Sequence, residues 1–347
     1  MDDRYLWDKS GPPDPEIERL ERLLGRFRQN RPAPRAPRRS PNTLLLAALA
    51  ALLAVGVGAV WIAARPGAAW GVDRLAGAPL VGSERIVETG RLSVGEWLET
   101  DSSSRAKLQV GRIGQVEIEP NSRLRLVAAR FHDHRLALER GTIEARIWAP
   151  PRLFFVETPS ALAVDLGCVY TLTVDESGGG LLSVTAGWVE LGAGPPNVLL
   201  RAGHYSDRLL DWEGRESLVP AGASCATKAG IGPGTPFYDD ASPAFREALR
   251  RFDFEEEGDA ALDALLAETR KRDSLTLWHL LLRTEGGEQT RVFRRLAALV
   301  PPPPGVTEEG IRRRDDKMLE AWRGQLGLRW FRKDAPWWQN VWQSLWS

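Results

Sequence analysis

The run FHDHR places His132 and His134 two residues apart, which sets both imidazoles on one side of a strand or turn with Asp133 between them. Such a pair could begin a zinc site, but zinc needs three or four ligands. No further ligand stands at a recognisable spacing. Of the other two histidines, His204 stands alone in NVLLRAGHYSD, and His279, in LWHLLL, reads as a core or capping residue. A solvated hairpin tip is the expected role of the 132–134 pair, and no metal is expected. The two cysteines, Cys168 and Cys225, are too few for a four-thiolate site or a disulfide-dense scaffold. ESGGGL at 176–181 lacks the Lys-Ser/Thr of a phosphate-binding loop and reads as a hairpin turn. Neither a Gly-Xaa-Ser-Xaa-Gly elbow nor a His-Glu-Xaa-Xaa-His helix occurs. The carboxylates are scattered over surfaces with matching arginines. The residues therefore point away from an enzyme, and they call for no cofactor.

The elements that carry these residues are set out by composition. With 347 residues the chain is long enough for two domains, and its formal net charge of zero makes no electrostatic case for nucleic acid. From Leu44 to Ala64 runs LLLAALAALLAVGVGAVWIAA, without a charge and 21 residues long. About 20 apolar residues cross a bilayer as a helix, so one transmembrane helix is expected within 42–65. A signal peptide is the rival reading, but its apolar region is shorter and its basic leader is brief. Six arginines and no acid lie between Arg26 and Arg39, against Arg65 and Arg74 beyond the run. The positive-inside rule then puts residues 1–41 in the cytoplasm and 66–347 outside.

Within the tail, DPEIERLERLLGRF has an N-cap at Asp14, Pro15 at the first helical position and acids in the first turn. Ile17, Leu20, Leu24 and Phe27 fall on one face of the predicted helix. The face suits either the membrane surface or the groove of a protein partner; the second is preferred, so these four residues are the candidate partner-binding set. The Arg/Pro-rich stretch up to Pro41 reads as a stiff linker.

Beyond the anchor the pattern changes twice. Residues 85–220 are short alternating runs punctuated by turns, which predicts a sandwich or roll of short strands. Residues 226–242, ATKAGIGPGTPFYDDAS, read as a Gly/Pro-rich connector. From residue 243 the period is helical, and an all-α domain is expected over 243–347. Its last segment sets Trp338, Trp342 and Trp346 on one face. They either pack against the preceding helices or form an interface with the bilayer or a partner. The expected fold class is thus mainly β, with an all-α C-terminal domain and one transmembrane helix.

VETPSALAVDLGCVYTLTVDESGGGLLSVTAGWVEL, residues 156–191, resembles the core signature of FecR-type envelope regulators. Thr158-Pro159, Gly167-Cys168 and Gly187-Trp188-Val189 hold the places of that family's Thr-Pro, Gly-Thr turn and Gly-Xaa-Val. Upstream, IEPNSRLRL and LALERGTIEARI are similar to its Pro-Xaa-Ser strand start and Leu-Glu-Xaa-Gly hairpin. The resemblance covers about residues 85–205, within an outer domain of 66–225. It implies envelope signalling, with a cytoplasmic segment that holds a sigma factor and an outer domain that receives a signal. Two departures stand out. The tail is short for a full anti-sigma domain, and the helices after residue 243 are no part of the pattern.

In an oxidising exterior two cysteines more often pair than stay free, so a Cys168–Cys225 disulfide is expected. Two buried free thiols and a redox sensor are the alternatives. The functional expectation is a regulator in a bacterial inner membrane that relays an outer signal to a cytoplasmic protein partner such as a sigma factor. The alternative is a non-signalling envelope scaffold that binds an external protein or glycan.

Overall fold

The computed structural model describes residues 15–27, 69–130, 133–193, 216–255 and 259–328. The chain divides into two units, Met1–Arg65 and Pro66–Ser347. In the first, Pro15–Gly25 forms helix α1. The run 44–64 lies outside the described residues, among which no helix is long and apolar enough to cross a membrane.

The second unit is built on a β-sandwich whose strands are numbered along the chain. One sheet runs in the order β4 (Thr89–Leu92), β1 (Trp70–Ala76), β6 (Arg105–Val110), β7 (Gly114–Ile118), the second half of β9 (Asp133–Ile147), β12 (Val169–Val174), β13 (Gly180–Ala186) and β16 (Ala223–Lys228). The short β17 (Gly232–Pro233) and β18 (Phe237–Tyr238) both pair with β16. The other sheet runs β3 (Glu84–Arg85), β2 (Leu80–Val81), β5 (Trp97–Glu99), β8 (Arg123–Arg130), the first half of β9, β10 (Phe154–Glu157), β11 (Ala161–Asp165), β14 (Trp188–Ala193) and β15 (Ser217–Pro220). These pairs are antiparallel except β9–β10.

Alternation drives the sandwich. In β6, Ala106, Leu108 and Val110 are buried while their neighbours are half-exposed, and Val116 and Ile118 do the same in β7. Each such leucine, valine or isoleucine contributes about 1.5–3 kcal/mol by leaving water. β9 serves both sheets because it turns at Gly141. That residue has φ +95°, and a Cβ there would meet the Ser122 Cα at 2.3 Å. The close approach lets Ser122 Oγ accept from Thr142 N at 2.9 Å.

The remaining elements are helices: α2 (Pro243–Phe254), α3 (Asp259–Glu268), α4 (Ser274–Arg283), α5 (Gly286–Leu299), α6 (Glu308–Arg312) and α7 (Asp316–Gln325). Ser242 caps α2 by accepting from Phe245 N at 3.1 Å, with Pro243 at its start. α4 is buried from Leu275 to Leu282 and is the hub of the bundle. Trp322 of α7 is fully buried, edge-on to Trp278 at 6.3 Å and to Phe293 at 5.2 Å.

The expected connector at 226–242 is instead part of the fold. It contains the end of β16 together with β17 and β18, and α4 is bonded to it. Thr276 Oγ1 donates to Pro236 O at 2.8 Å, and Arg283 donates to Thr235 Oγ1 at 3.2 Å and to Ser217 Oγ at 2.6 Å. Asp253 accepts from Thr235 N at 2.7 Å and from Thr235 Oγ1 at 2.8 Å. Glycine and proline here serve tight turns between short strands rather than a free tether.

Candidate functional site

Helix α1 carries Ile17, Leu20 and Leu24 of the predicted partner-binding set, and Phe27 lies in the turn just after it, its amide donating to Leu24 O at 2.9 Å. None of the helix residues is buried, and Leu20, Leu24 and Phe27 are 57%, 62% and 78% exposed. Ile17 is half-exposed on the same stripe. Leu23, 51% exposed, widens the face and is absent from the sequence-based set. Glu16 and Glu18 sit in the first turn, and Arg22 donates to Glu18 one turn away at 3.5 Å. The helix thus keeps a polar side in water and an apolar side without a partner among the described residues. The C-terminal candidates Trp338, Trp342 and Trp346 lie outside those residues.

The residues of the sequence signature have structural reasons. Thr158 closes the β10–β11 turn, with Oγ1 accepting from Ala161 N at 2.9 Å. Gly187 has φ +75°, and a Cβ there would sit 2.2 Å from Gly167 O, so the loop before β12 and the start of β14 fit only around a glycine. Between them stands an acid that sequence reasoning did not single out. Asp165 ends β11, is fully buried, and accepts from Gly167 N at 2.8 Å and from Cys168 Sγ at 2.5 Å. Burial pushes its carboxyl up to about 7, against the hydrogen bonds from Cys168 and Gly167. The same burial, with Asp165 beside it, holds the Cys168 thiol well above its ordinary value. The Tyr170 hydroxyl is buried in the same region without a hydrogen-bond partner. An Asp inside the otherwise apolar ALAVDLG was the signal available in the sequence.

The expected disulfide is absent. Cys168 and Cys225 are both free and buried. Cys225 lies opposite Leu182, which lies opposite Leu172, four residues beyond Cys168. Two ladder spacings and four strand residues separate their Cα atoms by roughly 16 Å. A disulfide requires less than about 7 Å. Cys225 Sγ donates instead to Gly234 O at 3.2 Å, and burial pushes its thiol up to about 12. Both thiols are core residues, held protonated.

Among the histidines, His132 and His204 lie outside the described residues. His134 is buried against Trp70, with ring centroids 5.8 Å apart, rather than solvated at a hairpin tip. His279 is buried in α4, in keeping with a core residue. Among the described residues, no three His, Cys, Asp or Glu side chains converge as a metal site requires.

No protein-family model matches the chain, and no curated protein does. Two crystal structures of a proposed anti-sigma factor from Parabacteroides distasonis resemble it. Each is 14% identical, with a TM-score of 0.31 over 44% of this chain. The overlap takes in 63% and 62% of those chains, so this chain spans less than two thirds of their length.

A concave cleft of about 960 Å³ opens at the end of the sandwich where β9 turns. Glu99, Asp101, Glu139, Asp175 and Glu176 line it, with Arg85 and Arg140. Glu99 and Glu139 are bridged by Arg123 at 3.2 and 2.9 Å. Asp101 is held at about 2 by hydrogen bonds from Ser103 and Ser104, so it stays ionised at neutral pH. This end of the domain is acidic.

Proposed function

We infer that the chain is a single-span regulator of a bacterial cell envelope, with its sandwich and helical bundle outside and helix α1 in the cytoplasm. The observation that carries the reading is the apolar stripe of Leu20 and Leu24 on α1 and Phe27 just after it, which has no partner among the described residues and lies on a unit separate from the sandwich. An eleven-residue helix is marginal in water, so its stability has to come from a surface it covers. A groove in a cytoplasmic protein meets that need with contacts at i, i+3, i+7 and i+10. The apolar run 44–64 supplies the anchor, and the FecR-like signature of residues 156–191 supports an outer domain that receives a signal. A sigma factor is the proposed cytoplasmic partner.

The test is capture from membranes by the full chain, by the chain without residues 1–30, and by Leu20→Ala/Leu24→Ala. A sigma factor identified with the intact chain alone, and lost in both variants, supports the reading. Capture that ignores both changes removes α1 from the mechanism and leaves an envelope scaffold.

A further inference from the structure

The two ends of the sandwich differ in chemistry. One carries the acidic cleft. At the other, the chain enters through β1, whose first residue, Trp70, is already in the core. The turns of that end are fixed by strand register. Trp70 lies opposite Leu92, so residues 93–96 are there. Gly114 lies opposite Ile147, so the 111–113 turn and Trp148 are there too. The His134 ring, 3.3 Å from where a Cβ of Gly111 would stand, brings the neighbouring end of β8 and β9 onto the same rim. Trp148 N donates to Ile113 O at 2.9 Å.

This rim exposes two large apolar side chains, Trp148 at 55% and Val94 at 44%. Five strands, β4-β1-β6-β7-β9, set them roughly 19 Å apart along the edge. Arg112, in the turn between them, and Arg130, at the end of β8, are exposed, and neither makes an ion pair among the described residues. The one exposed acid of the 93–96 turn is Glu96, which accepts from Ser93 N at 2.8 Å. Asp133 is paired to Arg135 and Glu190 to Arg152.

We propose that this rim rests on an anionic lipid surface, with Trp148 and Val94 at headgroup depth and Arg112 and Arg130 against lipid phosphates. The proposal rests on the anchor reading above. Residues 65–69 are the only chain between the apolar run and Trp70. Fully extended they reach roughly 17–20 Å, which keeps this end of the sandwich at the bilayer face. Tryptophan favours that interface, and arginine is drawn to anionic headgroups. The acidic cleft at the opposite end is repelled from the same surface, so lipid charge also selects the orientation.

The test uses the full chain in lipid nanodiscs of phosphatidylcholine, with and without phosphatidylglycerol, carrying bromine on the acyl chains. A polarity-sensitive dye is placed on Val94→Cys or, as the distal control, on Glu176→Cys; the native thiols are buried. Blue-shifted, bromine-quenched emission at position 94 alone is the expected result. It should strengthen with phosphatidylglycerol and fall several-fold in Arg112→Glu/Arg130→Glu or in high salt. Water-like emission at position 94 in discs that hold the chain overturns the proposal and leaves the anchor standing. Equal quenching at both positions, or quenching indifferent to phosphatidylglycerol, overturns it as well. A chain that never enters the discs sinks the anchor reading, and this proposal with it.

Discussion

His279 Nε2 accepts the main-chain amide of Leu218 at 3.1 Å, and so closes the free edge of β15. Among the described residues β15 pairs only with β14, and an open strand edge invites pairing with another chain. Three residues close this one: His279 takes the Leu218 amide, Pro220 offers none, and Arg283 reaches Glu216 O at 3.4 Å. The other nitrogen, Nδ1, lies 2.9 Å from Leu275 O, so the neutral Nδ1–H tautomer satisfies both contacts. The helical bundle is thereby part of the sandwich's edge.

Acid should loosen this junction. Burial lowers the His279 pKa from 6.5 to about 3, so between those values the unfolded chain binds a proton that the folded one does not. Its stabilising contribution is complete above pH 6.5 and is lost as pH falls, by up to about 1.4 kcal/mol per pH unit. Between pH 7.5, 6 and 5 the urea midpoint of the native chain should drop relative to that of His279→Gln, whose side-chain oxygen can still accept the Leu218 amide and which keeps every other titrating group. His279→Ala should cost about 2–4 kcal/mol at every pH through an unpaired amide and a cavity. Parallel pH curves for the native chain and the Gln variant would show that His279 is not the titrating group.

Asp165 has the opposite sign. Its folded pKa is raised from 3.8 to about 7, so the folded chain holds the extra proton between these values. That contribution is complete below pH 3.8 and disappears as pH rises through 7. Asp165→Asn keeps an acceptor for Gly167 N and cannot ionise. It should be more stable than the native chain at pH 8, by about 1–2 kcal/mol, and little changed at pH 5. A loss of stability at pH 8 would mean that the carboxylate is held by its surroundings.

The thiols give a prediction about covalent structure. Both sulfurs are buried and held protonated, and neither forms a disulfide. The folded protein purified under air should react with no thiol reagent, and the denatured protein should react at two positions. Reductant should leave the thermal midpoint unchanged. Denatured protein without reactive thiols would restore the disulfide that the ladder register excludes.

Legibility followed the range of the interactions. The alternation of AKLQV and QVEIE is local, and it marks strands that the structure contains, β6 and β7. The 3.6-residue period likewise marks α2 through α5. What failed depends on register between distant strands. The distance between Cys168 and Cys225 is fixed by β12, β13 and β16 together, which spacing along the chain does not encode. The segment 226–242 looked like a tether because two-residue strands carry no periodicity, and only their partners in β16 and α4 reveal them. Asp165 escaped notice because one acid in a strand reads as an outward position until the fold buries both faces of β11.

Gly187 offers the sharpest test of the signature's packing. A Cβ at this position would stand 2.2 Å from Gly167 O and 3.0 Å from Cys168 Cα, on a backbone with φ +75°. The obstructing atoms are main chain and cannot swing aside, so Gly187→Ala must shift the loop that holds Asp165 and Cys168. The cost should be about 2–4 kcal/mol, combining left-handed strain with displaced packing. Gly222 makes the control: it also has positive φ, +73°, but nothing lies within 4 Å of its missing Cβ. Gly222→Ala should pay only the conformational part, about 1 kcal/mol. Equal losses at the two positions, measured by urea unfolding, would remove the close approach as the reason for glycine at 187.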